Sequence, residues 1–268
     1  MKIAISTLGC PEWDFIKVLE EYRKLGCDIE VRGIDGEMDA GKIVRFQAER
    51  AEETKALLKE YGLKLVGFGT SCKFHDPDAL EENICAGREA IDVCVRMGIP
   101  FIRVFGNDIP DKSRMAETAH TVCKGLKAVC AYGAEKGVGV NLEIHGDFNS
   151  VEAVKLVVDE MNGTPAFGIL WDIEHSDKTV GDDFMPFYEV VRPYLRHVHV
   201  KDYIRKEGGA FELCMVGKGD IPIKDIIAQL QKDDYDGYYS FEWEKKWVPY
   251  LEEPEEAFPA FVQYIQAL

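Results

Sequence analysis

Four side chains able to bind a divalent cation lie in the C-terminal half of this chain, each at the end of an apolar, strand-like run. Glu143 follows Gly139-Val140-Asn141-Leu142, and Asp172 follows Phe167-Gly168-Ile169-Leu170-Trp171. His199 follows Leu195-Arg196-His197-Val198, and Glu242 follows Tyr238-Tyr239-Ser240-Phe241. The intervals of 29, 27 and 43 residues are close to one or one and a half βα units. Side chains at successive strand C-termini converge over one face of a parallel β/α barrel. Three carboxylates and an imidazole gathered there suit Mn2+ or Mg2+, and the imidazole tilts the choice toward Mn2+, Co2+ or Fe2+. Such an ion could hold a hydroxyl and its neighbouring carbonyl, polarise the carbonyl and favour an enediolate. Glu143 and Glu242 would then be the catalytic pair that removes and returns a carbon-bound proton. The bland alternative is that these residues cap helices or pair with basic groups. It explains any one of them more easily than four at matching positions.

The elements that must position this quartet are legible as alternating short apolar runs and longer amphipathic segments, the pattern of parallel βα units. Eight strands are expected, over 2–6, 29–32, 65–68, 101–105, 139–143, 166–172, 195–201 and 237–242. Between them, 13–25 places Phe15, Val18, Leu19 and Tyr22 on one stripe. Segment 45–61 ends at Gly62, and segment 113–136 ends at Gly137. Segment 77–97 is expected to open with Asp76 as cap and Pro77 in the first turn, and to end at Gly98. Further helices are expected from Ser150, Pro222 and Pro254. With no Gly/Ser linker between the eight units, residues 1–268 read as one domain: a single (β/α)8 TIM barrel of the α/β class, its active site at the C-terminal ends of the strands. The loops on that side carry the unusual residues, including His145, Glu174-His175-Ser176 and a long 202–220 stretch.

Composition narrows the function. A length of 268 residues is close to the roughly 250 of such barrels. A formal net charge of −16, with no cationic cluster longer than a pair, disfavours a nucleic-acid partner. No apolar run approaches the roughly 20 residues that span a bilayer, and no signal-peptide pattern opens the chain, so no membrane partner and a cytosolic location are expected. The eight cysteines are scattered with no CxxC pair and read as reduced, mostly buried small hydrophobes. Cys10 and Cys72 could line a pocket.

Five segments carry a family resemblance: Asn141-Leu142-Glu143, Leu170-Trp171-Asp172-Ile173-Glu174-His175, His197-Val198-His199-Val200-Lys201-Asp202, Gly217-Lys218-Gly219-Asp220-Ile221-Pro222 and Ser240-Phe241-Glu242-Trp243-Glu244. They resemble the sugar phosphate isomerase/epimerase family of xylose isomerase-like TIM barrels, which includes ketose 3-epimerases, inosose isomerases and dehydratases. With Glu12-Trp13-Asp14 and Ile29-Glu30-Val31-Arg32 in the same style, the likeness covers essentially the whole chain. It implies a metal held by Glu143, Asp172, His199 and Glu242, with Zn2+ added to the ions above. It also implies that His175 touches a substrate hydroxyl and that Arg205 could be the substrate-binding arginine after strand seven. Where the ketose 3-epimerases place a second Glu six residues after the strand-five ligand, this chain has Asn149, and His145 could substitute. Endonuclease IV, a more distant member, needs histidines after strands three and four that are missing here, where the ends read Gly67-Phe68-Gly69-Thr70 and Val104-Phe105-Gly106-Asn107.

The remaining residues are weighed singly. His197 shares the parity of His199 but sits one layer deeper, as a core or supporting residue rather than a ligand. Lys201 could reach a substrate oxygen, or pair with Asp172, Asp202 or Glu242. Gly217-Lys218-Gly219 could cradle an anion, but a simple turn is favoured. Trp13, Phe68, Phe105, Trp171, Trp243 and Trp247 could wall a sugar ring or be core. The expected function is a metal-dependent isomerase or epimerase of a sugar, ketose or related polyol, phosphorylated or not, acting through an enediolate. An inosose-type dehydratase on the same site is the first rival, with His145 or Lys201 as the acid. A non-catalytic sugar-binding barrel is the second. Assembly as a homo-oligomer is compatible with this class.

Overall fold

Residues alternate along the strands between apolar side chains facing the helices and polar ones facing the opposite way, and this period of two closes eight strands on themselves. A computed structural model describes residues 1–268. The barrel strands are β1 (Lys2–Ser6), β2 (Asp28–Val31), β3 (Leu65–Lys73), β4 (Phe101–Asn107), β5 (Gly139–Gly146), β6 (Phe167–Asp172), β7 (Leu195–Val200) and β10 (Tyr238–Phe241). All neighbours are parallel, and β1 pairs with β10 to close the ring. The helices are α1 (Phe15–Leu25), α2 (Ala51–Tyr61), α3 (Leu80–Met97), α4 (Met115–Lys136), α5 (Val151–Met161), α6 (Ile173–Val180), α7 (Met185–Val191), α8 (Ile223–Lys232) and α9 (Pro254–Gln266). No helix is long and apolar enough to cross a membrane.

The apolar core fills the shell between strands and helices. Ile5, Ile29, Ile102, Val140, Ile169 and Phe241 are fully buried there. α1 answers them with Phe15, Val18, Leu19 and Tyr22, the stripe its sequence predicts. Burial of each such side chain stabilises the fold by about 1.5–3 kcal/mol. Asp14 starts α1 by accepting from the Lys17 N–H at 2.8 Å. Gly62 and Gly98 end α2 and α3 with φ of 72° and 74°, left-handed values that glycine adopts without strain.

Three expectations are corrected. The helix expected over 45–61 starts only at Ala51, because 44–46 form a separate 3-10 turn that buries Phe46 and Gln47 is extended. The helix expected from Pro77 starts at Leu80, because the Asp76 carboxylate accepts from the Asp78 N–H at 2.9 Å and closes a local turn. The stretch 202–220, expected as a loop, contains an antiparallel hairpin of β8 (Asp202–Arg205) and β9 (Phe211–Cys214). Gly208 and Gly209, at φ of 78° and 81°, turn it.

Candidate active site

The polar parity inside the barrel converges at its C-terminal mouth. β5 carries Glu143, β6 ends on Asp172, β7 carries His199, and Glu242 follows β10. The register aligns Asp172 and Ser240 with His199 on either side. All four residues are buried, and one ligand atom from each lies within 4.8 Å of the others. His199 Nδ1 is 3.6 Å from Glu143 Oε1, 3.8 Å from Asp172 Oδ2 and 3.4 Å from Glu242 Oε2.

Each member is aimed by a neighbour. Asp172 caps α6: its Oδ1 accepts from the Glu174 and His175 N–H groups at 2.9 and 3.4 Å, which leaves Oδ2 toward the quartet. His199 Nε2 lies 2.7 Å from Glu30 Oε1, so the N–H donates there and the Nδ1 lone pair faces the carboxylates. Glu30 Oε2 accepts from His197 Nε2 at 2.8 Å and from Ser240 Oγ at 2.5 Å. His197 is therefore the deeper supporting residue its parity indicates.

Electrostatics follow from this packing. Burial pushes the Glu30 carboxyl up, but His199 and His197 hold it well below the usual range. Burial pushes His199 down, yet Glu242 and Glu30 hold it well above the ordinary imidazole value. The negative field that retains a proton on this ring is the field that attracts a cation. Buried His199 Nδ1 hydrogen-bonds nothing, while Glu143 Oε2 and Asp172 Oδ2 meet no hydrogen-bond donor of good geometry beyond the charges of Arg103 and Lys201. Buried polar atoms are nearly always satisfied. An unpartnered imidazole nitrogen facing three carboxylates, with one ligand atom of each within 4.8 Å of the others, fits a divalent ion, and Glu143, Asp172, His199 and Glu242 are the residues that could hold it.

Two cations border the quartet. Lys201 Nζ lies 2.7 Å from Asp172 Oδ2, 2.8 Å from Glu242 Oε2 and 2.8 Å from Glu244 Oε1. Burial alone would lower its pKa, but Asp172, Glu242 and Glu244 hold it well above the usual value. Arg103 was not singled out from the sequence. Its Nε lies 2.8 Å from Glu143 Oε2, its Nη2 3.9 Å from Glu242 Oε1, and its guanidinium stacks 4.1 Å from the Phe105 ring centre. Glu30 was missed as well. In both cases the signal was a lone charge inside an apolar strand run, Ile29-Glu30-Val31 and Ile102-Arg103-Val104.

The other expected site residues divide. His145 and His175 meet at the mouth with ring centres 4.2 Å apart, and Phe105 packs on His145 at 4.7 Å. Burial lowers the pKa of both imidazoles, so both rings are neutral near pH 7. Arg205 engages Asp177 at 2.7 Å and Asp182 at 3.1 Å, and none of its hydrogen bonds or ion pairs reaches the quartet. Asp202 lies in neither Lys201's ion pairs nor the quartet. Its carboxylate accepts from the N–H groups of Gly217 and Gly219, each at 2.9 Å, so the glycine turn cradles an anion supplied by the chain itself.

Among the aromatics, Trp171 stacks on Phe187 and Tyr188, and Trp243 on Phe241, all in the outer core. Trp247 is exposed. Cys10 and Cys72 do line cavities, as buried thiols whose pKa burial raises, Cys10 to about 12.

No protein of curated function matches the sequence. Among solved structures, the IOLI protein with a bound zinc atom superimposes with a TM-score of 0.81 at 16% identity, over 99% of this chain and 97% of that one. The probable 3-DHS dehydratase AsbF, involved in petrobactin synthesis in Bacillus anthracis, gives 0.79 at 16% identity, over 99% of each chain. The 3-keto-D-glucoside 4-epimerase YcjR of E. coli gives 0.77 at 18% identity, over 100% of each chain. At these identities the likeness establishes the fold. The family model described as xylose isomerase-like TIM barrel matches residues 19–268, and the chain belongs to that family.

Proposed function

We propose that the protein is a sugar-modifying enzyme, specifically a metal-dependent isomerase or epimerase of a sugar, ketose or related polyol. The observation that carries this reading is the buried cluster of Glu143, Asp172, His199 and Glu242, whose ligand atoms lie within 4.8 Å of one another around an unpartnered His199 Nδ1. Three carboxylates and one imidazole favour Mn2+, with Zn2+, Co2+, Fe2+ and Mg2+ as alternatives. When bound, the ion supplies positive charge that acidifies a carbon-bound proton next to a carbonyl.

The chain's own groups do the rest. Glu143 and Glu242 stand on different strands around His199, and one carboxylate takes the proton while the other, once protonated, returns it. Arg103 lies 2.8 Å from Glu143 and 3.9 Å from Glu242 and fixes the placement of the pair. His145 and His175, as neutral imidazoles, can donate to or accept from substrate hydroxyls. Lys201 places an ammonium against a developing oxygen charge. Arg205 acts at a distance by holding the β8–β9 hairpin on α6.

A dehydratase reading is favoured by one observation: Lys201 Nζ sits among Asp172, Glu242 and Glu244, a fixed positive charge that can stabilise a departing hydroxyl. We place the enzyme in the cytosol, on its eight free cysteines, with a small-molecule partner and no nucleic acid.

The test is proton exchange by NMR. Metal-loaded protein in D2O is incubated with ketoses, aldoses, inososes and their phosphates. Deuterium at one carbon, lost on adding chelator, is the expected result, and product identity separates isomerase from dehydratase. Bound metal with no exchange on any compound would overturn the reading.

A further inference from the structure

Three carboxylates share the buried quartet, and like charges gathered this closely repel unless a cation sits among them. Lys201 supplies one from within the chain. Its Nζ donates to Glu242 Oε2 and to Glu244 Oε1, each at 2.8 Å, and lies 2.7 Å from Asp172 Oδ2. The two quartet oxygens it meets are the ones that face His199 Nδ1, Asp172 Oδ2 at 3.8 Å and Glu242 Oε2 at 3.4 Å. The ammonium and a divalent ion therefore draw on the same two oxygens. Lys201 is 2% exposed, so solvent screens little of its charge.

Neither carboxylate depends on Lys201 for its aim. Asp172 is fixed through its other oxygen, Oδ1, by the N–H groups of Glu174 and His175 at the start of α6. Glu242 has Arg103 Nη2 3.9 Å from its other oxygen, Oε1. What the ammonium adds at the quartet is charge, not position. Glu244 stands apart from the other two partners: it is not a quartet member, and its side chain is 26% exposed. Glu174, close by, is already paired with Lys178. Glu244 is thus the carboxylate that can keep the ammonium while an ion takes Asp172 and Glu242.

We propose that Lys201 is an internal counter-ion of the quartet, which offsets the clustered carboxylates when no ion is bound and competes with the ion for Asp172 and Glu242, and that Glu244 draws it away. Lys201 and Glu244 then set how tightly the ion is held, in opposite directions, and keep it exchangeable. The proposal rests on the reading of the quartet as a metal site and is independent of the reaction run there.

Calorimetric titration of the chelator-stripped full chain with Mn2+ alone tests it. Lys201→Met should bind Mn2+ about 10-fold tighter than wild type, because a like charge beside the ion is gone. Glu244→Gln, at a partly exposed position that does not threaten folding, should bind it about 10-fold weaker, because the ammonium then rests on Asp172 and Glu242 alone. Thermal midpoints give a second readout, since an ion stabilises the chain in proportion to its affinity. Ion-free Lys201→Met should melt below ion-free wild type, and Mn2+ should raise its midpoint further. A group that merely positioned the two carboxylates would weaken metal binding when removed. Weaker or unchanged Mn2+ binding in Lys201→Met therefore overturns the proposal, as does equal or tighter binding in Glu244→Gln. Should Lys201→Met fail to fold, Glu244→Gln decides alone. Mn2+ bound by wild type with the wrong sign in the variants removes only the counter-ion role. A wild type that takes up no Mn2+ removes the metal reading, and the proposal with it.

Discussion

Two adjacent layers inside the barrel are equally buried and built from the same side-chain types, yet they settle their charges differently. In the deeper layer both Glu30 oxygens are used, one by His199 and the other by His197 and Ser240. In the layer above, His199 Nδ1 bonds nothing, and Glu143 and Asp172 face it with carboxylates whose remaining neighbours are the charges of Arg103 and Lys201. His199 belongs to both, Nε2 below and Nδ1 above. A buried polar layer that closes on itself rigidifies the barrel. One that stays open while rigidly supported holds a place for a ligand. The comparison teaches that burial and charge alone do not mark the working layer; incomplete satisfaction does.

The widest break in this comparison comes from Glu242→Gln in the open layer. The fold should persist while turnover falls by about 10²–10⁴-fold, the usual contribution of a positioned acid or base, and metal analysis should show reduced occupancy. Unchanged turnover would remove Glu242 from the chemistry. Glu30→Gln strikes the closed layer and should act through His199. We expect metal affinity to drop about 10–100-fold, as for loss of an orienting carboxylate, measured by competition with a chelator of known affinity. An affinity equal to wild type would make Glu30 purely structural.

The smallest effect is on the pH dependence of stability. Burial lowers the pKa of His145 and holds that of His175 well below the ordinary value, whereas both titrate near about 6.5 when unfolded. The unfolded chain therefore binds protons that the folded rings refuse. Their contribution to stability is complete above that pH and is lost as pH falls toward the folded values, by up to about 1.4 kcal/mol per pH unit for each ring. Urea unfolding with chelator present should show this slope below pH 6.5, and the double substitution His145→Gln, His175→Gln should flatten it. A slope that persists in the double variant would assign it to other groups.

The amino-acid order by itself determined the eight strands, the α1 stripe and the four quartet members. Each depends on local periodicity: outward apolar residues recur every second position, and a polar residue at a strand's end inherits the inward parity. Parity also placed His197 beneath His199. Only the tertiary structure decided which partner each inward charge meets. Glu30 and His197 are 167 residues apart in the chain yet 2.8 Å apart across the barrel. Arg103 reaches Glu143 and Glu242 from a third strand. Local pattern can say that a charge points inward, but barrel closure sets the distance between charges. That distance decides whether each is neutralised, as at Glu30, turned to the chain's own backbone, as at Asp202, or shared between a buried cation and the quartet, as at Asp172.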